Sequence, residues 1–367
     1  MSKNVFRYKP DYAVAPGEIL EETLLARGMQ KADLAERCGL SAKQMSLIIT
    51  GKAPITPETA IRLERALGVS ASIWNHLESK FRLHKARKQD QDELEKHEDW
   101  LRRFPIKELE RRGIVKRATN VAGQVAQLLD FFGVGSVVSW EKRYRRLQVA
   151  FRRSVAFKSS PEAVAVWLRI SELEAEDVDC AAYDRSGFDS ALNQIRRLSC
   201  RNPETFEPRM KQLCADSGVA LVFVGELRGT HLSGAARWLR QDKAMIALSL
   251  RYKTDDHLWF TFFHEAAHVK LHGKKGVFID EDKQTAFSDE EEGANRFAAN
   301  RLIPRKAYID FTKRKDFNES SIREFAAAAG IAPGILVGRL QHDRLVPWGT
   351  PLNSMKCHFR LVETRKE

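Results

Sequence analysis

The stretch FTFFHEAAHVKLHG, residues 260–273, constrains the fold most strongly, because its polar residues recur at a helical spacing. His264 and His268 stand four positions apart, so on an α-helix their imidazoles lie one turn apart on the same face. Both rings can then reach one metal ion. Glu265 points roughly 100° away around the helix, where its carboxylate can act as general base on a water molecule that the ion activates.

A core helix can contain the same residues by chance, so a metal site needs a third protein ligand. A third histidine six positions after the second would fall at position 274, which is Lys274, and His272 lies too far along the helix to bind the same ion. The segment SDEEEGANRFAANRLIP offers carboxylates on a second predicted helix. The candidates that the spacing leaves open are Asp289, Glu290, Glu291 and Glu292.

The aromatic residues around the histidines favour a buried helix. We assign four apolar residues to the core behind the metal-binding face, and not to substrate contacts: Phe260, Phe262, Phe263 and Leu271. Trp259 suits either environment. Three residues remain open, without a ranking, as donors to a transition state: His231, Tyr252 and His257.

The stretch KADLAERCGLSAKQMSLIIT, residues 31–50, has the pattern of a helix-turn-helix. Ala35 is small where the second helix would cross the first, and Gly39 permits the left-handed backbone that the turn requires. The apolar residues that can lock the two helices together are Leu34, Leu40, Met45 and Ile48. A plain helical hairpin has the same packing needs and stays open as an alternative.

The second helix of this pair is predicted to carry the contacts to double-stranded DNA. Ser41 suits the N-cap, and the residues that follow it would project outward. Gln44 can pair with a base edge, most naturally adenine, while Lys43 and Lys52 can contact phosphates or guanine. The predicted DNA contacts are Ser41, Ala42, Lys43, Gln44, Ser46 and Lys52.

The charge of the chain agrees with a nucleic-acid partner, since its 367 residues carry a formal net charge of +12. The five cysteines form no C-x-x-C pair and their number is odd, which argues against a disulfide framework or a cysteine zinc ribbon. No apolar run reaches membrane-spanning length, and the first residues lack the apolar core of a signal peptide. We therefore expect a cytoplasmic protein with no membrane partner.

The segment from about Pro16 to Arg82 resembles the HigA-type antitoxins of the Xre helix-turn-helix family. The resemblance rests on PGEIL, the turn at Gly39, IITGKAPITPETAIRLERALG and SIWNHLES. It implies a five-helix domain similar to lambda-type repressors, in a bacterial or phage-encoded protein that acts on the nucleoid. It further implies a homodimer on a palindromic operator, often in its own promoter, and a toxin as partner.

The region from about residue 203 to 305 resembles the ImmA/IrrE family of metallopeptidases, whose second helix carries E-x-x-A-N-x-F-A. Here the matching residues are EEGANRFA, 291–298. The resemblance implies Glu291 as the third ligand and Asn295 as a hydrogen-bond partner of a metal-bound histidine. It also implies Zn²⁺ as the ion, with Mn²⁺ as the alternative, and a repressor or antitoxin as substrate, this protein itself included.

The chain as a whole is predicted to be α+β and mostly helical. Short strands are expected at 218–225 and 244–250, with a weaker one at 233–239. The predicted domains are 1–80, helix-turn-helix; 81–202, a helical connector; 203–312, a zincin-like metallopeptidase domain with a small sheet; and 313–367, a helical extension of unassigned role.

The predicted function is a DNA-binding regulator that carries a zinc endopeptidase domain. Two alternatives remain open from the sequence. One is an antitoxin or repressor whose zinc domain senses or binds a partner without cutting it. The other is a protease whose helix-turn-helix only docks onto a DNA-bound target.

Overall fold

A computed structural model describes residues 13–144, 160–271, 277–281 and 289–362. The predicted α+β, mostly helical class is confirmed. His272 and Lys274, considered above as ligand positions, lie outside the described residues. The chain divides into two compact units, one of residues 1–98 with 117–126 and the other of residues 99–116 with 127–367.

The first unit contains the predicted five-helix domain. Its helices are α1 (Pro16–Ala26), α2 (Lys31–Arg37), α3 (Ala42–Ile49), α4 (Pro57–Leu67) and α5 (Ala71–Leu94). They enclose one apolar core whose members include Leu20, Leu34, Met45, Leu63 and Trp74. The alternation of apolar and polar positions along each helix accounts for this core, because it gives each helix one apolar face.

The turn between α2 and α3 has the geometry that the sequence predicted. Gly39 has a φ of 60°, in the left-handed region that favours glycine. Its N–H donates to the carbonyl of Glu36 at 3.0 Å, and the N–H of Leu40 donates to the carbonyl of Ala35 at 2.9 Å. Ser41 caps α3 by accepting a hydrogen bond from the N–H of Gln44 at 3.1 Å.

Longer polar contacts fix the other helices around this pair. Arg62 on α4 donates to the carbonyls of Cys38 and Gly39, so α4 holds the turn in place. Glu78 on α5 is buried, and its carboxylate accepts from the N–H of Ile55 at 3.1 Å and from Arg82 at 2.6 Å. A buried carboxylate with these partners anchors α5 to the loop before α4.

The second unit combines helices with a small mixed sheet. Short helices α6 (Glu98–Leu101) and α7 (Ile106–Arg111) come first. Helix α8 (Val121–Phe132) begins in the first unit and ends in the second, and α9 (Val137–Tyr144) follows it. The helices that follow are α10 (Pro161–Glu176), α11 (Arg185–Arg197), α12 (Pro203–Ala215), α13 (Asp255–Leu271), α14 (Asp289–Leu302), α15 (Arg305–Lys313), α16 (Glu319–Ala329) and α17 (Pro333–His342). Within the described residues, no single helix is long and apolar enough to cross a membrane.

The sheet has four strands in the order β1-β3-β2-β4. They are β1 (Val219–Phe223), β2 (Leu232–Arg240), β3 (Lys243–Leu248) and β4 (Val277–Glu281). β1 runs parallel to β3, while β2 is antiparallel to both β3 and β4. The three predicted strands are therefore present, and β4 is an addition that the sequence pattern did not predict.

Helix α13 packs in the main core of this unit, beside the sheet. Trp259, Phe262 and Phe263 are fully buried there, as predicted for the two phenylalanines. Leu271 was wrongly assigned to the core, because the end of α13 emerges from it and leaves this side chain 46% exposed. The same core contains Phe188 and Ile335, from segments that the sequence assigned to the connector and the extension. The predicted boundaries at 80, 202 and 312 remain predictions.

Helices α16 and α17 repeat the turn found between α2 and α3. Gly330 has a φ of 64°, and the N–H of Ile331 donates to the carbonyl of Ala326 at 3.0 Å. In contrast to α3, α17 is buried along most of its length. Its Gly334 and Gly338 lie directly over the carboxylates of Asp255 and Asp256, where any larger side chain would overlap them.

The first turn of α13 holds two adjacent buried carboxylates that share one cation. Asp256 accepts a hydrogen bond from Lys356 at 2.7 Å. Burial and the neighbouring charge of Asp256 raise the pKa of Asp255 to about 7, although backbone N–H groups, including that of Cys357, and the charge of Lys356 act in the opposite direction. Asp255 is therefore a group whose protonation is coupled to folding.

We predict that the free energy of unfolding falls as the pH rises from about 4 to 7. In this window folded Asp255 keeps a proton that the unfolded chain has already released, so the stabilisation is complete at low pH and is lost as the pH rises. The slope is at most about 1.4 kcal/mol per pH unit. Urea unfolding of wild type and Asp255→Asn across this range measures it.

The variant Asp310→Asn, at an exposed position on α15, serves as the control. Wild type and this control should share one pH profile, and the profile of Asp255→Asn should be flatter. Three parallel profiles would contradict the coupling of Asp255 to folding.

Candidate metal centre and nucleic-acid interface

The candidate metal centre begins on α13, whose middle is buried on all sides. His264, Glu265 and His268 are each 2% exposed or less. Ala266 and Ala267 between them are fully buried, and their small side chains suit a helix enclosed by neighbours. Buried imidazoles and carboxylates need polar partners, because desolvation of such groups is costly. Helix α14 supplies two of these partners.

Glu291, in the first turn of α14, completes a cluster with the two histidines. The Nε2 atoms of His264 and His268 are 3.0 Å apart. The carboxylate oxygens of Glu291 lie 3.2 Å from Nε2 of His264 and 3.4 Å from Nε2 of His268. One ligand atom from each residue lies within 4.8 Å of the other two. Two imidazole nitrogens and one carboxylate oxygen at these distances fit a single divalent ion.

Asn295 sets the orientation of the first histidine ring. Nδ1 of His264 lies 3.1 Å from Oδ1 of Asn295, which can only accept a hydrogen bond. A neutral ring that donates from Nδ1 to this oxygen keeps its lone pair on Nε2, the atom that faces Glu291. This arrangement presents Nε2 as a ligand, as second partners of metal-binding histidines do.

Among the four acidic candidates, the structure brings one to the histidines. Asp289, Glu290 and Glu292 are exposed, whereas the Glu291 side chain is only 25% exposed. Burial raises the pKa of Glu291, but hydrogen bonds and the charges of His264 and His268 outweigh burial and lower the pKa to about 2. The carboxylate is therefore ionised at neutral pH, which is the form that binds a metal ion.

Glu265 projects from another side of α13, towards strand β2. Its Cγ and Oε1 atoms would each lie 3.0 Å from a methyl group built on Gly234, and Thr261 Cγ2 would lie 2.8 Å from it. Strand β2 can approach this closely because Gly234 has no side chain. The close packing fixes Glu265 between the helix and the sheet, fully buried.

A cleft with a volume of about 180 Å³ opens beside the cluster. Its lining includes His264, Glu291 and Asn295, together with Tyr252 and His257, two of the three unranked candidates for a transition-state donor. The third candidate, His231, is not part of this lining; its imidazole lies 3.8 Å from Glu226.

Phe260 packs against the core, as predicted, and it also lines the cleft. The aromatic ring follows the histidine face of α13 and lies 6.2 Å from the ring of His264. The helical spacing of Phe260 and His264, four residues apart, is the signal that could have identified it.

The predicted DNA-contacting residues lie on the exposed side of α3 and just beyond it. All six are exposed: Ser41, Ala42, Lys43, Gln44, Ser46 and Lys52. Met45, Ile48 and Ile49 on the other side of α3 are buried in the core. Helix α3 therefore has one side fixed in the domain and the other available to a partner, as a recognition helix requires.

Residues 20–74 match the family model described as helix-turn-helix. The uncharacterized HTH-type transcriptional regulator YddM of Escherichia coli (strain K12) is 33% identical over 73 residues, which are 20% of this chain and 78% of that protein. The chain belongs to the helix-turn-helix family. The match ends in α5, so it covers most of the five-helix domain.

Residues 224–340 match the peptidase family M78 model, described as the IrrE N-terminal-like domain. The match extends from the sheet through α13 and α14 into α17 and so includes the candidate metal centre. The chain therefore combines an Xre-like helix-turn-helix domain with a domain of the IrrE/ImmA type, and both predicted resemblances are confirmed.

Two solved structures are similar to the N-terminal part of this chain. One is an addiction module antidote protein of a HigA family from Coxiella burnetii, 30% identical over 23% of this chain and 91% of that one, with a TM-score of 0.21. The other is PA4674 of Pseudomonas aeruginosa in complex with its operator DNA, 30% identical over 24% and 94%, with a TM-score of 0.22.

We predict that Gly234→Ala lowers the free energy of unfolding by about 1–3 kcal/mol, the usual effect of overpacking. The added methyl group would press on Thr261 and Glu265, which are both buried. Chemical unfolding of the two proteins measures the loss. Gly135→Ala is the matched control, since a methyl group there meets open space and should change stability by less than about 0.5 kcal/mol. Equal stabilities of all three proteins would contradict close packing at Gly234.

Proposed function

We propose that this protein is a DNA-binding, antitoxin- or repressor-like regulator whose C-terminal domain is a zinc-dependent endopeptidase. The observation that carries the peptidase assignment is the convergence of His264, His268 and Glu291, with Glu265 buried on the same helix. This set provides three ligands and one base, and leaves a cleft open beside them. A catalytic zinc site typically has three protein ligands and one open position.

Each residue of the site has a distinct role in the proposed hydrolysis of a peptide bond. His264, His268 and Glu291 would hold the ion, and Asn295 would keep the His264 ring in the tautomer that presents Nε2. Zinc bound here would supply Lewis-acid chemistry.

Glu265 would accept a proton from the attacking water and return it to the departing amine, which is general base and then general acid catalysis. Tyr252 and His257, in the cleft, are the candidates to donate to the developing oxyanion.

Zinc is the proposed ion because two imidazoles and one carboxylate are a ligand set that catalytic zinc sites use. Mn²⁺ is the alternative, since imidazole and carboxylate ligands accept it as well. The proposed substrate is a repressor or antitoxin, including this protein itself, so that cleavage would relieve repression.

On the DNA side, the exposed side of α3 would enter the major groove. Gln44 would pair with an adenine, and Lys43 and Lys52 would contact phosphates or guanine. The net charge of +12 favours an anionic partner. We propose that the protein binds as a homodimer to a palindromic operator in its own promoter, as regulators of this type do.

We predict that Glu265→Gln keeps its metal and loses all cleavage. The ligand cluster does not include Glu265, while proton transfer requires its carboxylate. Wild type and Glu265→Gln should each contain about one zinc ion per chain by metal analysis, and His264→Ala should contain far less. Cleavage is measured by incubating wild type and Glu265→Gln with Zn²⁺ or Mn²⁺, each alone and each with the protein products of neighbouring genes.

The control for metal content is His76→Ala, at an exposed position on α5, which should keep the ion. Absence of metal from both wild type and His264→Ala would exclude the site. Continued cleavage by Glu265→Gln would exclude Glu265 as the base. Metal binding without any cleavage by wild type would favour a sensor or partner-binding role for this domain.

We predict that Gln44→Ala weakens binding to the upstream region of the protein's own gene by about 1–3 kcal/mol, the usual value of one paired base contact. Lys52→Ala should weaken binding to all sequences and reduce the salt dependence. Fluorescence anisotropy at several salt concentrations measures both effects. The control is Gln91→Ala, on the exposed surface of α5, which should bind DNA as wild type does. Binding without sequence preference by wild type would contradict the regulator assignment.

A further inference from the structure

The cleft beside the metal cluster is apolar at its base. Its lining combines residues from α13, α14 and α17 with the segment that follows α17. The apolar members are Phe260, Ala299, Leu302, Ile303 and Ile335. Leu302, Ile303 and Ile335 are almost completely buried, so they form a fixed surface and not a mobile one. An apolar pocket of this kind next to a reaction centre can hold an apolar side chain of a substrate.

Trp348 stands at the mouth of this cleft and is 55% exposed. Its exposure is not the result of a loose chain, because its carbonyl accepts hydrogen bonds from Asn353 at 2.7 Å and from Gln341 at 3.3 Å. The side chain of Gln341 also accepts from Lys356 at 2.7 Å. An exposed tryptophan on an anchored backbone is suited to bind a partner at low entropic cost.

Tyr252 also lines the cleft and is 38% exposed. Its ring stacks on the ring of His257, with 4.2 Å between the centroids and 25° between the planes. The guanidinium of Arg251 lies 5.0 Å from the ring centre. These contacts hold Tyr252 in place, so Tyr252 and Trp348 both present anchored aromatic rings to the cleft.

Three charged or titratable groups that line the cleft, Asp256, Arg339 and His342, have oppositely charged neighbours. Asp256 is bonded to Lys356 at 2.7 Å, and Arg339 is bonded to Asp343 at 2.9 Å. His342 also lies 3.0 Å from Asp343. With the charges compensated in this way, the apolar and aromatic surfaces are the features that can distinguish one substrate from another.

We infer that Trp348 and Tyr252 determine the specificity of the site, and that the cleft takes a large apolar side chain of a polypeptide, such as leucine, isoleucine or phenylalanine, next to the cleaved bond. The inference rests on the proposed peptidase function and names its substrate class. It also gives the segment after α17 a role, since this segment supplies one side of the mouth.

The test uses the full-length Glu265→Gln protein loaded with Zn²⁺, so that binding is measured without turnover. The probes are fluorescein-labelled, capped octapeptides that are identical except for one central residue: leucine, phenylalanine, alanine or aspartate. Anisotropy titrations should show the leucine and phenylalanine peptides bound roughly tenfold or more tighter than the alanine peptide. Adding Trp348→Ala should reduce this preference to near unity, and Trp348→Phe should restore part of it.

The matched control is Leu345→Ala, an exposed apolar residue that does not line the cleft and whose loss should leave the preference intact. No peptide binding, tighter binding of the aspartate peptide, or an unchanged preference in Trp348→Ala would each overturn the inference. Wild-type protein is then tested for cleavage of the same peptides. Cleavage without apolar preference would support the peptidase and overturn the pocket, whereas selective binding without cleavage would support the pocket and contradict the peptidase.

Discussion

The second unit depends on one constraint, which is that helix α13 carries polar side chains through the middle of an apolar core. Buried imidazoles and carboxylates cost free energy unless they have polar partners. The surrounding elements meet this requirement: α14 brings Glu291 and Asn295 to His264, and the C-terminal segment brings Lys356 to Asp256. Strand β2 approaches the helix closely at Gly234, which leaves room for Glu265. The elements around α13 therefore supply partners or space for its buried polar groups, and one such group, His264, His268 and Glu291, suits a metal ion.

The chain contains two helix pairs with the same turn, and they have different surroundings. Gly39 and Gly330 both adopt the left-handed conformation. In each turn, the N–H of the residue after the glycine donates to the carbonyl of an alanine five residues earlier: Leu40 to Ala35 at 2.9 Å, and Ile331 to Ala326 at 3.0 Å. After the first turn, α3 keeps one side exposed. After the second, α17 lies over Asp255 and Asp256 and is buried. Local geometry is thus the same, and only the neighbouring elements decide which helix can meet DNA.

Much of the candidate site follows from local patterns. The spacing of His264 and His268 predicts a helix that presents both rings on one face, and the structure has a helix there. The choice of Glu291 among four acids came from a family resemblance, and the structure places this residue at the histidines. Spacing did not reveal the aromatic mouth of the cleft, because Tyr252 and Trp348 are far apart in sequence and share no motif. Leu271 was misassigned, and the cleft-lining position of Phe260 was not predicted, because hydrophobicity alone does not tell which side of a helix faces a cleft or solvent.

Local sequence patterns account for the local structure: the five helices of the first unit, the turn at Gly39, three of the four strands and the helical register of the histidines. These features depend on periodicity, capping and backbone preference, which act over a few residues. Three further features became visible only in the folded chain: Glu291 meets both histidines, α17 is buried while α3 is exposed, and Trp348 lies beside the cleft. These outcomes depend on close packing between segments that are distant in the sequence. The sequence of one segment does not tell which other segment will pack against it.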